Sequence, residues 1–228
     1  MGASWPATAE ELEAEQHRLA GASPLPWSPG PRLVVAGVFA CFERVPRGPM
    51  ERGWAAAAVY DAGRRRVLEV SIATGRAGAP YLSGLLALRE GPMLEGALRQ
   101  LRTPFDVLLV DATGRDHPRR AGLALHLGAV LGVPSVGVTH RPLLAEGEWP
   151  PPVRGAQAPL LLHGETVGYW VRTVAGARPL AVHAAWRTSP EVAVAVVLRC
   201  VRWARTPEPL RAARRAARRA RAEAERSR

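Results

Sequence analysis

The sequence contains no lysine; all 31 of its basic residues are arginine. Any role that needs a lysine side chain is therefore closed to this chain. Alanine, glycine and proline are abundant, so the arginine bias has a compositional origin available as well as a functional one. Cysteine is nearly absent. Cys41 and Cys200 stand far apart in apolar segments, which excludes a disulfide framework and is expected to give reduced, buried thiols in a cytoplasmic protein. No apolar run approaches the ~18 uncharged residues of a membrane span. The first residues, "MGASWPATAEELEAEQ", are acidic and lack an apolar signal core. The expectation is a cytoplasmic protein with no membrane partner and no indicated protein partner.

What is present fits one large domain, or a domain with extensions: 228 residues, 47% of them hydrophobic, enough for a sizeable core. The net charge of +11 suits a polyanion. It is unevenly spread, since Arg211–Arg228 carries eight arginines against Glu223 and Glu225.

Local patterns give the order of elements. Thr8 and Glu11 have capping-box spacing ahead of a surface helix to Ala20, followed by a proline-rich connector, Gly21–Pro31. "LVVAGVFACF" (Leu33–Phe42) reads as a buried strand. Trp54–Thr74 reads as two strands around a turn near Asp61–Arg64. Ser83–Leu101 is helical, with Gly91-Pro92 inside it. Phe105–Asp111 is a buried strand ending in a carboxylate, Ala121–Gly132 an amphipathic helix and Pro134–Thr139 a short strand. Pro159–Thr173 forms a hairpin turning at His163-Gly164. "RPLAVHA" is a further strand, and Ser189 caps a helix that begins at Pro190. A strand meander followed by alternating strands and helices indicates an α/β layered fold with a mixed sheet. Boundaries are expected at 1–31 (helix and connector), 32–204 (main domain) and 205–228 (an Arg/Ala-rich tail). Arg211, Arg215, Arg218 and Arg219 share one side of a helical tail. It reads either as a backbone-binding arm that orders on nucleic acid or as a solvated, partly disordered tail.

Several residues can carry chemistry. Asp111 ends a central strand, where α/β sheets bind ligands, although an aspartate there also caps turns. Tyr81 sits on a rigid loop between Pro80 and a Ser-Gly turn. It could pack or stack on a base. Glu90 lies in the following helix. His117, Pro118, Arg119 and Arg120 open the next helix, where arginines and free amides suit a phosphate. His126 fits a hydrogen-bonded core histidine.

Taken in order and spacing, "PYLSGLLALRE", "LLVDATGRDHPRRAGLALHLG", "GVPSVGVTH" and "RPLAVHAAWRTSPEVAVAVVLRC" resemble the endonuclease V family over roughly residues 8 to 220. The resemblance implies an RNase H-like fold, an α/β mixed sheet flanked by helices in a single domain. It also implies Mg²⁺-dependent cleavage of nucleic acid near hypoxanthine, at the second phosphodiester on the 3′ side of the lesion, with DNA favoured over RNA. By the same resemblance, Glu90 and Asp111 are the matched catalytic and metal-binding carboxylates. Tyr81 and Gly84 belong to the wedge loop "PYLSG", with Ser83 where the family has proline. Ala112, Thr113 and Gly114 match the base-pocket loop. His117, Arg119 and Arg120 retain the family's "HPRR" and are expected at the nucleic acid.

Three positions depart from the pattern. Phe39 follows Ala36-Gly37-Val38 where the family has its metal-binding aspartate, His140 replaces the lysine near the phosphate, and Trp186 replaces a histidine. A phenyl ring offers Mg²⁺ no oxygen. Glu43 lies on the same strand face but roughly 13 Å further along. His183 would serve only after a register shift. His140 is a weak substitute, a phosphate donor only when protonated. The two rings at Phe39 and Trp186 are expected to desolvate Glu90 and Asp111, and two close carboxylates without a metal repel, so that one of the pair is expected to take up a proton. Three functions remain open: a lesion-binding protein with cleavage lost or impaired, a working nuclease with a reorganised site on Glu90, Asp111 and a histidine, and a scaffold that keeps only the fold. Whether the chain is an enzyme is left undecided at this stage.

Overall fold

The computed structural model describes residues 5–45 and 50–227. Its centre is an eight-stranded sheet in the order β3-β2-β1-β4-β5-β8-β7-β6. The strands are β1 (Val34–Phe42), β2 (Arg52–Asp61), β3 (Arg66–Arg76), β4 (Val107–Val110), β5 (Ser135–Thr139), β6 (Gln157–Leu162), β7 (Glu165–Val171) and β8 (Leu180–Ala184). β4 runs parallel to β1 and β5, and the remaining pairs are antiparallel. β1 and β4 are covered on both faces, which is why their sequences are continuous apolar runs rather than alternating ones.

Five helices cover the two faces: α1 (Ala9–Ala20), α2 (Leu86–Arg99), α3 (Leu123–Leu131), α4 (Pro190–Arg199) and α5 (Glu208–Arg226). One face packs α1, α2 and α3 through Leu12, Leu19, Leu94, Leu98 and Leu125 against Ala36, Val38 and Leu108. The other packs α4 against Val136, Val171 and Val182, and α5 against β1 and β2. The run Ala55–Ala58 of β2 is buried on both faces. Side chains this small let α2 and α5 sit close to the sheet on opposite sides.

The caps act as the sequence indicates. Thr8 Oγ1 accepts from the Glu11 amide at 3.2 Å, and Ser189 caps α4 through the Val192 amide at 3.2 Å. The reciprocal half of the first box is displaced by one residue, because Glu11 accepts from the Ala7 amide rather than that of Thr8. Cys41 and Cys200 are free and buried. No helix among the described residues is long and apolar enough to cross a membrane.

Both ends pack against the main body of the fold. The N-terminal helix is built into the main core, with Leu12 and Leu19 fully buried and Trp5 stacked on His126 at 4.6 Å. The arginine-rich segment is neither a loose arm nor a solvated tail. It is α5, held on the sheet by Leu210, Ala212, Ala213 and Ala217. The alanines spaced through the arginines supply an apolar stripe, and this inward stripe offsets the repulsion among the charges. Gly37 lets α5 come this near, since a Cβ there would lie 2.5 Å from the Pro209 backbone.

Candidate nucleic-acid interface

Two adjacent cavities open beside the C-terminal end of β4 and share Tyr81, Leu86 and Asp111. The first, about 280 Å³, is lined by the loop of Tyr81 to Gly84, by Ala112 and Thr113, and by Thr139, Arg141, Pro142 and Leu143. The second, about 210 Å³, contains Phe39, Glu90 and Asp111. The parallel β1–β4 pairing sets this arrangement, because it brings Val38 opposite Val110 and so places the residues that follow them side by side.

Tyr81 stands at the mouth of both cavities with 70% of its surface exposed, beside the exposed Leu82. The loop that carries it is held from below. Gly84, in the left-handed region at φ 79°, turns its carbonyl to accept from Gln16 Nε2 at 3.0 Å. The same carbonyl lies 3.0 Å from His117 Nε2. Arg89 reaches the Ala79 carbonyl at 3.0 Å and pairs with Glu51 at 2.7 Å. An exposed aromatic on a braced loop keeps a ring face available for stacking.

The "HPRR" residues are placed differently from the expectation. His117 is buried, and its Nδ1 accepts from the Arg119 amide. Arg119 donates to Gln16 at 2.6 Å and pairs with Glu13 at 3.3 Å, both on α1. Arg120 pairs with Glu165 at the β6–β7 turn and also reaches the Leu162 carbonyl. These side chains join elements of the fold and have internal partners. α3 also begins after them, at Leu123. Gly114 is likewise internal: a Cβ there would come 2.1 Å from the Ala184 carbonyl, and only Ala112 and Thr113 of that loop line the first cavity. Burial and the Trp5 ring keep His126 in the core, its pKa pushed down to about 4 chiefly by burial.

Phe39 borders the second cavity, but its ring also packs against α5 near Ala212, Ala213 and Ala217. Arg214 of α5 donates to Asp111 Oδ2 at 2.8 Å, and its guanidinium lies 5.1 Å from the Phe39 ring centre. Arg218, one turn on, lies 5.6 Å from the same ring. Burial raises the Glu90 carboxyl to about 7 against the small opposing influence of Arg89, with Asp111 adding to the rise. Burial therefore favours the neutral form of Glu90. Trp186 takes no part in this; it packs beside α3 and β5, where its amide donates to Ser135 Oγ at 3.1 Å. Of the two rings, only that of Phe39 lines the cavity that holds Glu90 and Asp111.

His140 has its cationic form disfavoured. Burial and the charge of Arg205 lower its pKa, and its Nδ1 accepts from the Arg205 guanidinium. An imidazole accepting at Nδ1 is neutral and carries its proton on Nε2.

Four functional residues escape the sequence reading. Arg205 and Arg214 are hidden in a general arginine excess, and Gln16 carries no motif. Asp116 stands inside the quoted "GRDHPRR", yet its role is long-range. Fully buried, it accepts from the amides of Leu143 at 2.6 Å and of Leu144 and Ala145 at 2.8 Å. It thereby fixes the loop that closes the first cavity. Buried His183 lies 3.7 Å away and contacts Thr139 Oγ1 at 2.9 Å; burial lowers its pKa, so it remains neutral.

A family model described as Endonuclease V matches residues 27–215. A relative called endonuclease V from Methanopyrus kandleri is 47% identical over 159 residues, covering 70% of this chain and 69% of its own. The crystal structure of endonuclease V from Streptomyces avermitilis is 38% identical with a TM-score of 0.87, covering 97% of this chain and 96% of that one. Endonuclease V from Ciona intestinalis, solved with a DNA containing an inosine followed by a ribo-adenosine, shares the fold at 20% identity and a TM-score of 0.80, covering 95% and 99% of the two chains. The RNase H-like architecture expected from the motifs is the one found.

Proposed function

This chain belongs to the endonuclease V family, and from that premise we propose that it recognises inosine in nucleic acid, DNA before RNA, without cutting it by metal-dependent hydrolysis. The observation that carries this is the ion pair between Asp111 and Arg214 against the ring of Phe39.

Mg²⁺ requires several hard oxygen donors in near-octahedral geometry. The residues here do not fit it. A ring stands at the first-strand position, and Asp111 already faces a guanidinium. Glu90 favours its neutral form up to about pH 7. Among the described residues, no three His, Cys, Asp or Glu side chains converge on one point. An arginine cannot activate water as a metal does. What it can do is hold a phosphate.

Recognition asks for different parts, and those are present. A base leaves the stack at a cost of a few kcal/mol and needs both a pocket and something to fill the gap. The first cavity, about 280 Å³, has room for a nucleobase between Leu82, Leu143 and the backbone of Ala112 and Thr113. Tyr81 at its rim is the wedge. The test is fluorescence anisotropy on a duplex with one deoxyinosine beside its unmodified counterpart. The parent protein should prefer the deoxyinosine duplex. Tyr81→Ala should weaken binding to it about tenfold, in line with ~1–3 kcal/mol per stacked base. Equal affinity for the two duplexes, or no effect of the substitution, would refute the reading.

One observation favours a second reading, that of a working nuclease with a reorganised site: Glu90 and Asp111 line the same cavity. That reading requires a divalent ion to displace Arg214, and it predicts metal-dependent nicking that Asp111→Ala abolishes.

A further inference from the structure

A metal-dependent nuclease site gathers carboxylates, and these meet a phosphate through their cation. The charges here are inverted. One carboxylate, Asp111, faces Arg214, and Glu90 is half-buried beside it. Arg205 lies against His140, close enough to Arg214 that burial and the neighbouring guanidinium charges of Arg178 and Arg214 lower its pKa. Arg218 adds a third charge over Phe39. Among the described residues, neither Arg205 nor Arg218 forms an ion pair, and the buried Nε of Arg214 has no hydrogen-bond partner. Guanidinium groups gathered here, with one carboxylate paired to Arg214, leave an excess of positive charge that an anion would relieve.

The placement is built rather than incidental. The close approach at Gly37 fixes the start of α5, and buried Ala213 and Ala217 fix its rotation, so Arg214 is directed to the end of β4. The His140 ring accepts from Arg205 through Nδ1, which leaves Nε2–H free to donate.

Resting on the reading above, we infer that Arg214, Arg205 and His140 form a metal-free subsite for one backbone phosphodiester beside the flipped base. The guanidinium of Arg214 takes the place of the cation. Its planar fork matches phosphate oxygens, and Asp111 orients it instead of ligating a metal. Binding to nucleic acid is then independent of divalent ions.

The test is anisotropy on the deoxyinosine duplex and on its unmodified counterpart, in EDTA and in MgCl₂, over a range of salt. Affinity of the parent protein should agree within about twofold in the two buffers. Arg214→Ala should weaken binding to both duplexes by about tenfold, leave their ratio unchanged, and reduce the salt slope by about one. Arg205→Ala changes a loop residue and should act in the same direction. It keeps the test open if circular dichroism shows the Arg214 variant to be misfolded. A requirement for Mg²⁺, or unchanged affinity in the folded variants, would overturn the inference. Uniform weakening in a protein that does not distinguish the two duplexes would still support the subsite while refuting lesion recognition. A lost ratio in Tyr81→Ala alone, with both arginine variants silent, would do the reverse.

Discussion

Replacing Glu90 with glutamine should stabilise the protein progressively as pH rises. The carboxyl titrates at about 7 in the folded chain against 4.5 in an unperturbed one, and burial is the main cause. Because its folded pKa is raised, the stability linked to its protonation is fully present below about pH 4.5 and is lost as pH rises through 7. At ~1.36 kcal/mol per pH unit, that interval corresponds to about 3 kcal/mol of destabilisation at pH 8.5. Glu90 is half-buried rather than sealed, which brings the figure nearer to ~2 kcal/mol. Glutamine keeps the shape and carries no charge to desolvate. Urea unfolding should therefore show parent and Glu90→Gln within about 1 kcal/mol of each other at pH 5 and the variant ahead by about 2 kcal/mol at pH 8.5. Adding MgCl₂ at pH 8.5 should not move the midpoint of the parent protein. A variant less stable than its parent at pH 8.5 would refute the reasoning. So would a Mg²⁺-dependent rise in the parent that the variant lacks, because that would show Glu90 ionised and holding a metal.

Asp116→Ala leaves three backbone amides of the 143–145 loop unsatisfied and should cost about 3 kcal/mol in urea unfolding. Because that loop lines the first cavity, the preference for deoxyinosine should fall with it; a change below ~1 kcal/mol would contradict the anchoring role. Gly37→Ala places a methyl 2.5 Å from the Pro209 backbone, so α5 must shift. Overpacking should cost ~1–3 kcal/mol and weaken nucleic-acid binding through a displaced Arg214, and a variant with parental stability and affinity would show that the close approach is dispensable.

The elements were legible where their signals are local. Thr8 and Ser189 mark helix starts, Asp61–Arg64 and His163-Gly164 mark turns, and continuous apolar runs mark β1 and β4. The cavity was legible in part, since Tyr81, Glu90 and Asp111 do converge. What the sequence could not show was which partner each charge takes. Arg119 beside a helix start looks like a phosphate ligand, yet its partner is Gln16, 103 residues away. The arginine run looks like an arm because its alanines carry no obvious apolar signal, although Ala212, Ala213 and Ala217 bury once β2 offers an alanine surface. Phe39 was found by its misfit to the pattern. The residue that answers it, Arg214, stands in a run of arginines that looks interchangeable until the fold selects one of them.

The most direct measurement is a nicking assay on a duplex carrying a single deoxyinosine, with Mg²⁺ and separately with Mn²⁺, run beside a gel shift on the same duplex and an Asp111→Ala control. The account predicts a shifted complex, stable in EDTA, and no nick with either ion. Metal-dependent nicking that Asp111→Ala abolishes would contradict it, and would mean that the ion displaces Arg214 and works with Phe39 in place.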